Sequence, residues 1–182
     1  TDMLRRPDKV LAACDRLVQV AIDWAVKRPE IPQSPLVSIP LHKGADAFMS
    51  DEQFRTFYWP TLRRLLLGLI DEGMIPFLFA EGRYNSRLQT IMDLPERSTV
   101  WLFDQTDMTQ ARATVGQVSC IQGNMPLSLL HAGSVQEVRQ YTRALISAVG
   151  QNGGFILDVG AVADEGKSEN LAAMIETARD FG

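Results

Sequence analysis

Gln117-Val-Ser-Cys-Ile-Gln-Gly-Asn-Met-Pro126 is the stretch on which the fold turns. Its short apolar run, Val118 to Ile121, reads as a buried strand. Gln122, Gly123 and Asn124 end that strand, and Pro126 opens the next segment. In an α/β protein, ligands bind at such strand ends. Gly123 lets the backbone approach a ligand closely, and Asn124 offers both a donor and an acceptor. An ordinary βα turn has the same composition, so the surrounding chain has to choose between the two readings.

Downstream, Ser134-Val-Gln-Glu137 matches a capping box, and Val138, Tyr141, Leu145, Ile146 and Val149 follow at helical spacing up to Gly150. Phe155 to Val159 reads as another strand. Leu171, Met174, Ile175 and Ala178 share one face of a last helix, Ser168 to Phe181. Upstream, Thr99 to Phe103 and Met74 to Ala80 read as strands, and Leu36 to Leu41 as the first. A short helix runs through Leu88, Ile91 and Met92 with Asn85 or Ser86 as its cap, and another spans Ala111 to Val115. Ser50-Asp-Glu-Gln53 is a second capping box before the stripe from Phe54 to Ile70, in which Pro60 predicts a kink or break. Val10 to Ala25 recur as a first amphipathic helix, closed by Pro29 and Pro32.

Five short apolar strands alternating with helices predict one domain over residues 1–182, a parallel sheet covered by helices. An open five-stranded α/β sheet fits that count. So does a (β/α)8 barrel of which about five β/α units are present.

The chain is 46% hydrophobic and 22% charged, as in an ordinary globular domain, and its net charge of −4 offers no broad surface for nucleic acid or anionic membrane. No apolar run approaches the ~20 residues of a membrane span, and the start does not resemble a signal peptide. Cys14 and Cys120 lie far apart without metal-type spacing, which reads as reduced thiols of a cytoplasmic protein. A start at Thr1 that runs at once into a helical pattern predicts that the chain begins inside a longer protein.

Parallel α/β folds gather their strand-end residues on one face. Here these are His42 and Lys43, then Glu81, Arg83 and Tyr84, Asp104 and Asp107, Gln122 and Asn124, and Asp158. A functional cleft and a solvated rim both produce such a set. His42 is a candidate general acid or a hydrogen-bonded loop residue. Glu81 is a candidate acid or base, or a partner of Arg83 or Arg87. Tyr84 is a candidate donor or a rim aromatic. Asp107 reads best as the cap of the following helix, and His131 as a partner of a helix C-terminus. Lys43, Arg83, Asp104, Gln122, Asn124 and Asp158 are candidate substrate-binding groups. No P-loop, dinucleotide fingerprint or paired-Cys zinc motif is present.

The ordered set Ser50-Asp-Glu-Gln-Phe54, Phe79-Ala-Glu-Gly82, Cys120-Ile-Gln-Gly-Asn124 with Pro126, Gly154-Phe-Ile-Leu-Asp-Val-Gly160 and Glu169-Asn-Leu-Ala-Ala-Met174 resembles the uroporphyrinogen decarboxylase superfamily. The resemblance covers almost the whole chain and implies the C-terminal part of a (β/α)8 barrel. It therefore favours the barrel over the open sheet, with further chain or another subunit covering the exposed sheet edges. Two activities are implied. One is decarboxylation of porphyrinogen acetate groups without a metal, which uses Arg and Asp residues of an N-terminal half and a late His that falls here at Ala161. The other is zinc-dependent methyl transfer involving corrinoid proteins, whose His-x-Cys pair and later Cys fall at Phe79, Glu81 and Ala161. The resemblance thus implies a divergent member. Glu81 and His42 are the candidate replacement ligands if zinc is bound. The leading expectation is a methyltransferase or demethylase acting on a small methylated compound with a corrinoid protein as partner. The alternatives are a decarboxylase of a porphyrinogen-like or other carboxylate, and a non-catalytic binding subunit. A homodimer is implied by the resemblance alone.

Overall fold

A computed structural model describes residues 2–27, 34–163 and 165–182. The expected closure of the first helix by Pro29 and Pro32 lies outside the described residues. The elements run α1 (Asp2–Arg5), α2 (Pro7–Val26), β1 (Leu36–Pro40), α3 (Asp51–Gln53), α4 (Trp59–Asp71), β2 (Ile75–Ala80), α5 (Leu88–Ile91), β3 (Val100–Phe103), α6 (Met108–Ala113), β4 (Cys120–Met125), α7 (Leu127–Ala132), α8 (Val135–Val149), β5 (Phe155–Val159) and α9 (Ser168–Phe181). Among the described residues, no helix is long and apolar enough to cross a membrane.

Both capping boxes form. The Ser50 hydroxyl accepts from Gln53 N while the Gln53 side chain accepts from Ser50 N, and Ser134 and Glu137 repeat the exchange. Between α3 and α4 the helix widens into a π-turn, Phe54–Tyr58, and resumes with Pro60 at its second position. There the missing proline N–H costs nothing, because the first-turn N–H groups have no intrahelical acceptor. The kink expected at Pro60 is thus taken up one turn earlier. Asn85 does not cap the short helix; its Oδ1 accepts from Asp107 N instead.

All strands are parallel and pair in sequence order, β1-β2-β3-β4-β5. An open doubly wound sheet reverses its strand order at a switch point. Sequential order with crossovers of one hand puts every helix on the same face, as in a barrel wall. Burial shows the same sidedness. Leu78 and Ala80, Trp101 and Phe103, and Ile121 point to one face and are fully buried. They pack with Leu62, Leu66 and Val149 of the covering helices. Burying each such large apolar side chain is worth about 1.5–3 kcal/mol. The opposite, concave face carries Leu36, Ile75 and Ile156, which remain 53%, 36% and 44% exposed. The fold is therefore a five-unit arc of a (β/α)8 barrel, and its concave face is the lumen side.

β4 begins later and ends later than the apolar run suggests. It starts at Cys120 and continues through Gln122, Gly123 and Asn124 to Met125, because Gly123 and Asn124 pair with Leu157 and Asp158 of β5. Gly123 has φ of 115°, and a Cβ there would lie 2.4 Å from the Phe103 carbonyl oxygen. The close approach expected at Gly123 is made to the adjoining strand β3 and not to a ligand.

Candidate functional site

The C-terminal ends of the strands form a mouth with a cavity of about 750 Å³, lined by Arg83, Asn85, Asp104, Thr106, Asp107, Asn124, Ser128, Tyr141 and Ala161 among others. Small-molecule sites fall in this size range. Four of the ten expected residues, Arg83, Asp104, Asp107 and Asn124, line that cavity, and the ten divide into two groups by what already holds them.

The first group builds the rim. Asp104 accepts from Gly82 N at 3.0 Å, which ties the end of β3 to the loop after β2. Asp107 caps α6 by accepting from Thr109 N and Gln110 N. Asn124 is buried and donates through Nδ2 to the carbonyls of Asp104 and Thr106, at 3.0 and 2.8 Å. Tyr141 on α8 donates to the Asn124 backbone and side-chain oxygens at 3.2 and 3.3 Å. Tyr84 is fully buried and its hydroxyl donates to the Leu41 carbonyl, so it holds the β1–α3 loop instead of facing the cavity. Burial pushes the Tyr84 phenol well above its ordinary value, and it pushes that of neighbouring Tyr58 up to about 12. Gly44 must be small here, since a Cβ would meet the Tyr84 hydroxyl at 2.5 Å.

The remaining residues meet other side chains or stay exposed. His42 Nδ1 contacts the Glu81 carboxylate across the mouth, joining the β1 and β2 ends. Both side chains are about half exposed, at 53% and 48%. The pairing of Glu81 with Arg83 or Arg87 does not occur. Arg87 is 1% exposed and turns inward, where it meets Asp51 Oδ1 at 3.0 Å, Asp46 Oδ1 at 3.5 Å and the Gly44 and Met49 carbonyls. Arg83 is exposed and lines the cavity. Lys43 lies outside the cavity wall with its ammonium 4.7 Å from the centre of the Phe48 ring. On the lumen face below the mouth, Gln122 Nε2 donates to Asp158 Oδ2 at 2.5 Å, and Gln122 Oε1 is buried without a partner. His131 sits in the last turn of α7, 3.9 Å from Glu165 and away from these groups.

Sequence reading missed the buried Arg87. The signal was available, because Tyr84, Arg87, Leu88 and Ile91 share helical spacing that puts Arg87 on the inward face. Tyr141 was read only as a core residue of its helix, and its hydroxyl reaches the mouth.

The described residues by themselves do not complete a zinc site. His42 and Glu81 supply two ligands, a catalytic zinc takes three protein ligands, and the described residues contain no cluster of three His, Cys, Asp or Glu side chains. Ala161, at one ligand position implied by the resemblance, is part of the cavity wall.

The family model "Uroporphyrinogen decarboxylase (URO-D)" matches residues 1–181. Similar proteins include two named uroporphyrinogen decarboxylase. That of Cellvibrio japonicus is 29% identical over 138 residues, which are 73% of this chain and 38% of the relative. That of Chromohalobacter salexigens is 27% identical over 137 residues, also 73% and 38%. The chain thus spans well under half the length of these relatives. A solved methyltransferase from Methanosarcina mazei superposes with a TM-score of 0.80 at 16% identity, covering 99% of this chain and 52% of that one.

Proposed function

This chain belongs to the uroporphyrinogen decarboxylase family, and from that premise we propose that it forms the C-terminal half of the active site of an enzyme that removes a methyl group from a small neutral or cationic compound. The methyl acceptor is a corrinoid carried by a partner protein. The observation that carries the reading is the His42–Glu81 contact beside an acidic mouth. The cavity wall there carries one cation, Arg83, and two carboxylates, Asp104 and Asp107, with Glu81 beside it at the end of β2. Such a field attracts an ammonium or tolerates an ether and repels a polycarboxylate.

The chemistry asks His42 for one proton. The bond between the methyl carbon and its heteroatom breaks with the electron pair staying on the heteroatom; a reduced corrinoid on the partner protein would supply the nucleophile that accepts the methyl group. The heteroatom then takes the proton from His42. A histidine held by a carboxylate is oriented to give that proton. Glu81 fixes the position of the ring.

A second reading, decarboxylation of a small carboxylate, is favoured by the names of the curated relatives and by Arg83 in the cavity wall. The carbon–carboxylate bond would break, carbon dioxide would leave, and His42 would protonate the carbon. Arg83 is then the carboxylate anchor.

The test uses the full-length protein with a reduced corrinoid protein and a panel of methylated amines and aryl methyl ethers. The readout is the absorbance of methylated corrinoid. Methylation that falls at least about a hundredfold in His42→Gln and less in Glu81→Gln supports the reading. Carbon dioxide release from a carboxylate substrate without corrinoid methylation would replace it with the second.

A further inference from the structure

The sheet has a second cavity, at the end opposite the mouth. It occupies about 580 Å³ and its wall includes Ile75, Val100 and Cys120 at the beginnings of β2, β3 and β4. Arg97 and Arg112 line it, with Glu96 as a single carboxylate. Part of the wall is the turn Asn152, Gly153 and Gly154, with φ of 67°, 75° and 68°. Its two glycines bring bare backbone to the cavity.

Arg97 is exposed, and among the described residues neither it nor Arg112 has the carboxylate partner that Arg55, Arg63, Arg64, Arg87 and Arg139 have. Arg112 is half-buried and spends one nitrogen on the Gln151 carbonyl at 2.5 Å. A guanidinium carries five N–H donors, so most of that fork is unused. Its charge is felt inside the cavity. Burial pushes the Cys120 thiol up, and Arg112 pulls it the other way. Two guanidinium groups against one carboxylate make this a cationic pocket in a chain of net charge −4, and its sign is opposite to that of the mouth. Paired guanidinium forks match the oxygens of a phosphate, which they bind by charge-assisted, bidentate hydrogen bonds.

We propose that this cavity binds a phosphate group through Arg97 and Arg112, as inorganic phosphate or as the terminal group of a small phosphomonoester. The site lies at the far end of the strands from the His42–Glu81 pair. It is independent of the reaction proposed for the mouth.

Calorimetric titration of the full-length protein tests this, with inorganic phosphate and glycerol phosphate as separate probes and chloride as the ionic-strength control. Saturable one-site binding is expected for phosphate, weakened about tenfold or more in both Arg97→Gln and Arg112→Gln. Tighter binding of glycerol phosphate than of phosphate assigns the ester as the ligand; equal or weaker binding assigns the free ion. Should Arg112→Gln fail to fold through loss of its bond to Gln151, Arg97→Gln decides alone. Heat no greater than that of the chloride control, or wild-type affinity in Arg97→Gln, overturns the proposal.

Discussion

Arg87→Met removes a buried charge that holds the β1–α3 loop, and with it the segment that carries His42. The guanidinium is 1% exposed, donates to the carbonyls of Met49 and Gly44 at 2.5 and 3.3 Å, and lies 4.7 Å from the centre of the Phe54 ring. Methionine fills most of the volume and keeps contact with Phe54, so the loss is mainly polar. Each buried carbonyl left without a donor costs about 1–3 kcal/mol. The two carboxylates cost less, because Asp46 and Asp51 keep 26% and 43% of their side-chain surface in contact with solvent and can rehydrate. The expected loss is about 3–4 kcal/mol, within the range for breaking a buried pair. Urea denaturation measures it, and Arg87→Lys should fall between, since an ammonium cannot reach both carbonyls and both carboxylates. The pH dependence gives a second readout. Burial pushes the Asp51 carboxyl up, but the bonds from Arg55 and Arg87 outweigh it and hold the group below 3.8. A carboxyl depressed in the folded state contributes stability above its unfolded value and loses it as pH falls through the folded one. That acid-side loss should shrink in Arg87→Met. A destabilisation below about 1 kcal/mol, with an unchanged acid limb, would refute the clamp.

Three further outcomes are expected. Gly123→Ala should cost about 3–5 kcal/mol, because its φ of 115° is strained for any L residue and its Cβ would sit 2.4 Å from the Phe103 carbonyl; a thermal midpoint within a degree or two of wild type would contradict this. Stability should fall as pH rises from 10 towards 12, because Tyr58 stays protonated to about 12 in the folded state while an unfolded tyrosine ionises near 10. The fall should be shallower in Tyr58→Phe, with absorbance of the phenolate as the check. Ile156→Lys places a charge on the lumen face, where the side chain is 44% exposed. In a full-length protein whose barrel is closed it should cost about 2–3 kcal/mol, and a neutral result in denaturation would mean that this face stays open to water.

The fold was legible because local and global signals agreed. Ser50 with Gln53 and Ser134 with Glu137 announced helix starts that the structure makes with both reciprocal bonds. Asp107 was legible as a cap for the same reason, since the side-chain bond that identifies it is local. The choice between open sheet and barrel needed strand order, which is non-local and leaves no trace in any single strand. The span of β4 was misread because Gly and Asn are poor strand formers. What keeps them in the strand is pairing with Leu157 and Asp158, more than thirty residues away. The inward turn of Arg87 was hidden by residue type, since an arginine is rarely fully buried unless it is paired, and its partners come from the loop before α3 and from the first residue of that helix.

Composition placed a crowd of polar groups at the strand ends without saying which were free to act. Hydrogen bonding makes that division. Asp104, Asp107, Asn124 and Tyr84 spend their polar atoms on backbone groups, as buried or half-buried polar atoms must. They give the mouth its shape, and their substitution should act first through stability. His42 and Glu81 spend theirs on each other, at half exposure, where a third partner can still reach them. Gln122 donates to Asp158 and keeps a buried acceptor unfilled. A buried acceptor without a donor is costly, and Gln122 Oε1 lies buried outside the cavity lining, so Gln122 acts on the mouth only through the Asp158 carboxylate it holds.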